Sequence, residues 1–217
     1  MMNYTAFVVL FVTCYVTYTQ ACFCMRGHLQ NFVCDPKSFI IKAYVVSSAV
    51  VPANTGNYNV KEITVDVLED FKNNTQGDRI YNIIILTTAE YSTFCGVFLP
   101  DDSCYVVSGT FEEGTSLRYR INTCGFQRTC SAMTDLQLSG LNGDYEEACK
   151  NNCKVLSPYA DNEDTGCKVN YQTDNISCLQ NYGVCDECYH DRCNGRKCMW
   201  KIDSNPNPGC SKIIYNK

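Results

Sequence analysis

Histidine is scarce in this 217-residue chain, which has only His28 and His190, and no apolar run reaches the about 18 residues needed to cross a membrane. HExxH, GxSxG and a glycine-rich phosphate loop are all absent. Zinc-protease, serine-hydrolase and nucleotide chemistry therefore lack their usual machinery. Basic character is missing too. The formal charge is −5 with no basic patch, which argues against a dedicated nucleic-acid binder. The paired acids Asp101-Asp102, Glu112-Glu113 and Glu146-Glu147 read as solvated surface, since carboxylates are rarely buried without a partner. The chain is expected not to be an enzyme and to carry no cofactor of its own.

Cysteine, by contrast, is abundant, with 17 in all. The first 21 residues hold no Lys, Arg, Asp or Glu, are almost wholly apolar from Ala6 to Val16, and end in Thr19-Gln20-Ala21. That is the layout of a secretory leader with small residues at its cleavage positions. Cleavage is expected after Ala21, so that the mature chain starts at Cys22 and the protein enters the extracellular space. Cys14 leaves with the leader and sixteen cysteines remain. An even number in a secreted chain favours eight disulfides over free thiols. Asn73-Asn74-Thr75 and Asn175-Ile176-Ser177 are glycosylation sequons, placing expected glycans on Asn73 and Asn175.

From Ser38 to Asn122 the pattern is that of strands. Phe39, Ile41, Ala43 and Val45 alternate with Ile40, Lys42 and Tyr44, and Ile63, Val65 and Val67 alternate with Thr64, Asp66 and Leu68. Further runs occur at Ile80 to Thr88, Tyr105 to Thr110 and Ser116 to Asn122, with turn-rich stretches such as Asn73 to Asp78 between them. Short strands spaced in this way suggest a closed β barrel or a sandwich. Two helices are expected beside it, a short one over His28 to Cys34 and a longer one over Thr134 to Asn151, the latter interrupted by Gly140 and Gly143. From Cys153 onward eight of 65 residues are cysteine and periodicity disappears. This describes a small module, residues 153–217, stapled by disulfides because it buries too little apolar surface by itself. Its eight cysteines allow 105 pairings, and sequence does not choose among them.

Two metal readings arise. Cys185, Cys188, Cys193 and Cys198, with His190 between them, have tolerable zinc spacing, but the oxidising compartment favours disulfides. His28 is expected to support the amino-terminal turn by hydrogen bonding in preference to ligating a metal.

The segment "CFCMRGHLQNFVC", Cys22 to Cys34, opens Cys-x-Cys and carries a third cysteine ten positions after the second. It resembles the mature amino terminus of the tissue inhibitors of metalloproteinases, a family built on the netrin-like (NTR) module. "FCGVF" at Phe94 to Phe98, "NTCGF" at Asn122 to Phe126 and "GLNGDYEEAC" at Gly140 to Cys149 resemble later family stretches. All three cysteines are displaced downstream by about four residues, so one insertion before Cys95 accounts for them together. "KCMWKID" at Lys197 to Asp203 is similar to a segment of the family's carboxy-terminal domain.

The resemblance implies a mainly β fold, an OB-fold-like five-stranded barrel with flanking helices over residues 22–152, followed by the disulfide-rich module. It implies the bonds Cys22–Cys95, Cys24–Cys124 and Cys34–Cys149, with Cys104 and Cys130 left to form an extra one. It also implies that the α-amine and carbonyl of Cys22 chelate the catalytic zinc of a target protease. Phe23 would then enter the specificity pocket, Cys24, Met25 and Arg26 would follow along the cleft, and Thr93, Phe94, Cys95 and Gly96 would complete the ridge. Expected partners are secreted or cell-surface zinc metalloproteinases of the metzincin type, bound 1:1 by a monomer, with extracellular matrix as a further partner class. Three departures stand out: Phe23 occupies a position usually Thr or Ser, Met25, Arg26, Gly27 and Leu29 replace a proline-rich stretch, and the carboxy-terminal module is short. His28 and Gln30 are retained. The competing readings are an NTR-fold matrix or growth-factor-binding module without inhibitory activity, and, more distantly, a disulfide-rich toxin or structural protein.

Overall fold

Alternating apolar residues do build the strands. In the computed structural model, which describes residues 22, 27–52, 59–72, 83–111, 118–156, 166–169, 175–188, 197–202 and 210, β1 spans Ser38–Pro52, β2 Asn59–Asp70, β3 Ile83–Ala89, β4 Cys104–Phe111, β5 Arg118–Arg120 and β6 Gln127–Thr129. The sheet runs β1-β2-β3-β5-β4-β6, and β4 pairs back onto β1. Five strands thus close into a barrel, with β6 added outside the ring on β4. All barrel pairings are antiparallel except β3 with β5. The long β1 makes closure possible: it pairs with β4 over Ser38–Tyr44 and with β2 over Ile41–Pro52, and register shifts at Lys42/Ala43 and Val45/Ser47 bend it.

Phe39, Ile41, Ala43 and Val45 of β1 point inward to meet Ile63, Val65, Ile84, Leu86, Val107, Tyr119 and Ile121. Val97 and Leu99, from the stretch after β3, join this core. Strict alternation fails at Ile40, which lies on the outer face yet is fully buried. There Leu29, Val106, Leu141, Tyr145 and Val184 cover it, forming a second apolar layer between the barrel and its flanking helices.

Those helices are short. α1 spans Leu29–Cys34, capped by His28, whose side chain accepts from Gln30 N. After it, Lys72 Nζ donates to Phe32 O at 2.9 Å and to Ser38 Oγ at 3.1 Å, tying the helix end to the barrel. The longer helix is split. α2 covers Asp135–Ser139 and starts with a capping box between Thr134 and Gln137, and α3 covers Tyr145–Lys150. Between them Gly143 has φ 142°, a conformation only glycine adopts readily. Gly140 is needed for a different reason, since a Cβ there would sit 2.3 Å from the Tyr145 ring. The two glycines that interrupt the helical pattern are therefore the residues that allow the kink.

Beyond residue 152 lie β7 (Lys154–Leu156), β8 (Gly166–Lys168), α4 (Ile176–Tyr182), β9 (Gly183–Glu187) and β10 (Cys198–Ile202). β7 pairs with β8, and β9 with β10. Cysteines dominate the local core, with Cys153–Cys198, Cys167–Cys185 and Cys178–Cys210 bonded. Cys188 is also disulfide-bonded, to a partner outside the described residues. Cys185, Cys188 and Cys198 thus offer no thiolates, and the zinc reading of this cluster falls away; His190 and Cys193 lie outside the described residues. No helix among the described residues is long and apolar enough to cross a membrane.

Candidate functional site

The amino-terminal cysteine and the turn after β3 meet at one end of the barrel. A 3-10 turn, Ser92–Phe94, follows β3 and is closed by hydrogen bonds from Phe94 N and Gly96 N to Tyr91 O and from Cys95 N to Ser92 O, each 3.0 Å. Cys95 then adopts a left-handed conformation, φ 65° and ψ 22°. This is costly for a side-chain-bearing residue and reverses the chain toward the core. Gly96 completes the reversal. A Cβ there would lie 2.2 Å from Ala89 O and 2.8 Å from Tyr91 O, so only glycine lets the turn pack this closely on the end of β3. Val97 N next donates to Thr88 Oγ1 at 3.1 Å, and Val97 enters the core. The result is a rigid root under an exposed crest. Thr93 and Phe94 stand in solvent, with Phe94 59% exposed.

Cys22 is half-buried and bonded to Cys95, with Cα atoms 5.1 Å apart. Its sulfur lies 3.4 Å from Thr123 Oγ1, and Thr123 N donates to Cys95 O at 3.0 Å. The Cys22, Cys95 and Cys124 sulfurs lie within 4.8 Å of one another. All three are disulfide-bonded, so this cluster is a covalent staple and not a thiolate metal site. The partner of Cys124 lies outside the described residues, as do Phe23, Cys24, Met25 and Arg26; the Cys24–Cys124 pairing implied by the resemblance therefore falls there too. Cys34 is bonded to Cys149 and Cys104 to Cys130.

Other sites expected from sequence are dispersed. Asp101, Asp102, Glu146 and Glu147 are exposed, and Glu146 pairs with Lys150 at 2.8 Å across one helical turn. Asn73, Glu112 and Glu113 lie outside the described residues. Asn175 is exposed at the start of α4, its Oδ1 accepting from Cys178 N at 3.2 Å. Its Nδ2, the glycan attachment atom, is not used by that cap.

Sequence reading missed Thr123, which joins Cys22 to Cys95, and two exposed aromatics near the crest. Tyr91 is 57% exposed, and Phe98 is 77% exposed with Lys61 Nζ 4.7 Å from its ring centroid. "NTCGF" and "FCGVF" contain Thr123 and Phe98, but a spacing match gives neither exposure nor contact.

His28 is buried, and both of its ring nitrogens are engaged in hydrogen bonds. Its Nδ1 accepts from Gln30 N at 3.2 Å, which leaves Nε2 to donate to Leu179 O at 3.0 Å. That assignment is the one tautomer satisfying both contacts. Tyr145 and Trp200 meet the ring edge-on at 5.9 and 5.4 Å. Burial pushes the imidazole pKa down to about 4, against the opposing hydrogen bonds to the Leu179 and Gly183 backbone. The unfolded chain binds a proton near the ordinary value of about 6.5. Stability from the neutral ring is therefore complete above that value and is lost as pH falls from about 6.5 to about 4. Over that window the loss is expected to be about 3 kcal/mol. Guanidinium unfolding at pH 7 and pH 4.5 checks this, and His28→Asn, which does not titrate, should flatten that part of the dependence.

One comparison bears on the whole arrangement. The family model described as tissue inhibitor of metalloproteinase matches residues 20–200, from just before Cys22 to Trp200 in β10.

Proposed function

The chain belongs to the tissue inhibitor of metalloproteinase family, and from that premise we propose that it is secreted, is cut after Ala21, and inhibits a zinc metalloproteinase through the freed Cys22 terminus. Members of the family inhibit metalloproteinases and are not enzymes. The α-amine and carbonyl oxygen of Cys22 would chelate the target's zinc in the position otherwise held by water. Phe23 would enter the specificity pocket, Cys24, Met25 and Arg26 would run along the cleft, and Thr93, Phe94, Cys95 and Gly96 would complete the ridge. No metal of the inhibitor's own is required.

The observation that carries this reading is the attachment of Cys22 to Cys95 beside an exposed crest on a rigid root. A chain end normally frays, and ordering it on binding would subtract from affinity. Here the sulfur fixes the residue, and once the leader is cut its backbone nitrogen and oxygen would serve as ligands, so sulfur and backbone would have separate jobs. The division proposed between residues 22–152 and 153–217 places Cys22 and Cys95 together in the first unit.

Zinc takes the neutral amine, whose ordinary pKa is about 7.7 to 8.0. Below that value each binding event must release a proton, so Kd is expected to rise about tenfold per pH unit between pH 7 and 6. Calorimetric titration of the full mature chain against a metalloproteinase catalytic domain measures this directly, apart from pH effects on turnover. A 1:1 complex that weakens on acidification supports the reading; affinity unchanged from pH 8 to 6 would contradict it.

A further inference from the structure

We propose that the carboxy-terminal module is a working part of the amino-terminal end, because buried side chains of residues 28–31 are clamped by the backbone of residues 153–185. Gln30 is fully buried, and three hydrogen bonds of its side-chain amide cross to that module. Nε2 donates to Cys153 O at 2.9 Å and to Cys185 O at 2.8 Å, and Oε1 accepts from Cys185 N at 2.9 Å. Asn31 Oδ1 accepts from Val155 N at 3.2 Å, and His28 Nε2 reaches Leu179 O. Four backbone positions after residue 152 thus hold three closely spaced polar anchors, His28, Gln30 and Asn31.

The physical need for such a clamp is plain. α1 has six residues, too few to be stable alone, and among the described residues its nearest staples are Cys22–Cys95 before it and Cys34–Cys149 at its end. The clamp acts between these staples. It fixes the rotation of α1, and with it the placement of Gly27 and His28 at the start of the helix. Residues 153, 155, 179 and 185 are themselves set by Cys153–Cys198 and Cys167–Cys185 and by the packing of Leu179 and Val184. His28, Gln30 and Asn31 are in this sense positioning residues for the proposed inhibitory end, and that part of the inference rests on the inhibitory reading.

The test uses the full mature chain and three variants. His28→Asn keeps a side-chain acceptor to cap α1 but is too short to reach Leu179 O, His28→Ala removes both contacts, and Gln30→Met preserves volume while removing the amide. Hydrogen exchange of the amides in 27–34 is compared with that of β1, together with dissociation from a metalloproteinase catalytic domain. Gln30→Met and His28→Asn are expected to speed exchange in 27–34 by about tenfold or more while β1 stays protected. Dissociation should be about tenfold faster at unchanged 1:1 stoichiometry. The proposal is overturned if His28→Asn behaves as wild type while His28→Ala loosens α1, since the histidine would then be a local cap only. It is equally overturned if exchange in 27–34 does not respond to Gln30→Met. Failure of the wild type itself to bind the protease would sink the inhibitory reading, while the exchange data would still decide the clamp.

Discussion

One extra alanine ahead of Cys22 is expected to weaken inhibition by on the order of a thousandfold, equivalent to ~4 kcal/mol. The insertion turns the Cys22 amine into an amide nitrogen, which has no lone pair to offer zinc. It also places the new amine one residue away, and the terminus cannot slide to compensate because Cys22 is bonded to Cys95. Groups that merely support a metal ligand are worth ten- to a hundredfold, so loss of a direct ligand should exceed that. The folded state should be indifferent, since the addition precedes the first staple, and unfolding free energy is expected to stay within ~0.5 kcal/mol. Measuring inhibition and guanidinium unfolding on the same preparation separates the two effects. Equal inhibition by both forms would refute ligation by the terminus.

Replacing Cys22 and Cys95 together by alanine is the complementary experiment, because it leaves the amine and the carbonyl in place and removes only the tether. The bond closes a separation of 73 residues. Chain-entropy reasoning gives its loss an upper value of about 4 kcal/mol in stability. Alanine at position 95 must hold the same φ near 65° as the cysteine it replaces, so the backbone strain there is unchanged. Affinity is expected to fall about a hundredfold, since the free end must now be ordered at binding at about 1–2 kcal/mol per residue. The two variants should therefore differ in kind: the alanine extension costs binding alone, while the double replacement costs both binding and stability. Full affinity in the double variant would show that the terminus needs no tether.

Much of the barrel was legible because period-2 alternation is a local signal, and Phe39, Ile41, Ala43 and Val45 are indeed its inner row. Ile40 was not, since its burial depends on helices and on Val184, which lies far away in sequence. Gly140 and Gly143 marked a weakness in the helical pattern, yet only the Tyr145 ring and a φ of 142° explain why each is glycine. The connectivity after Cys153 has no local code at all, since any pairing with suitable geometry is chemically equivalent. His28 as a hydrogen-bonded support of the amino-terminal turn was legible, but its distant partner and those of Gln30 were hidden for a similar reason. Their partners are backbone groups 123 to 155 residues away, and a carbonyl oxygen is the same atom in every residue. Within the candidate site, spacing located Cys22, Cys95 and Gly96, whereas the contact through Thr123 and the exposure of Tyr91 and Phe98 needed coordinates.

The most direct test of zinc ligation by the Cys22 terminus is spectroscopic. A metalloproteinase catalytic domain carrying Co(II) in place of zinc is titrated with the mature chain. The visible bands of the metal are expected to change up to a 1:1 ratio, with no sulfur-to-metal charge-transfer band, because nitrogen and oxygen arrive while the sulfur stays in its disulfide. A spectrum left unchanged at saturation, or one showing thiolate ligation, would contradict it.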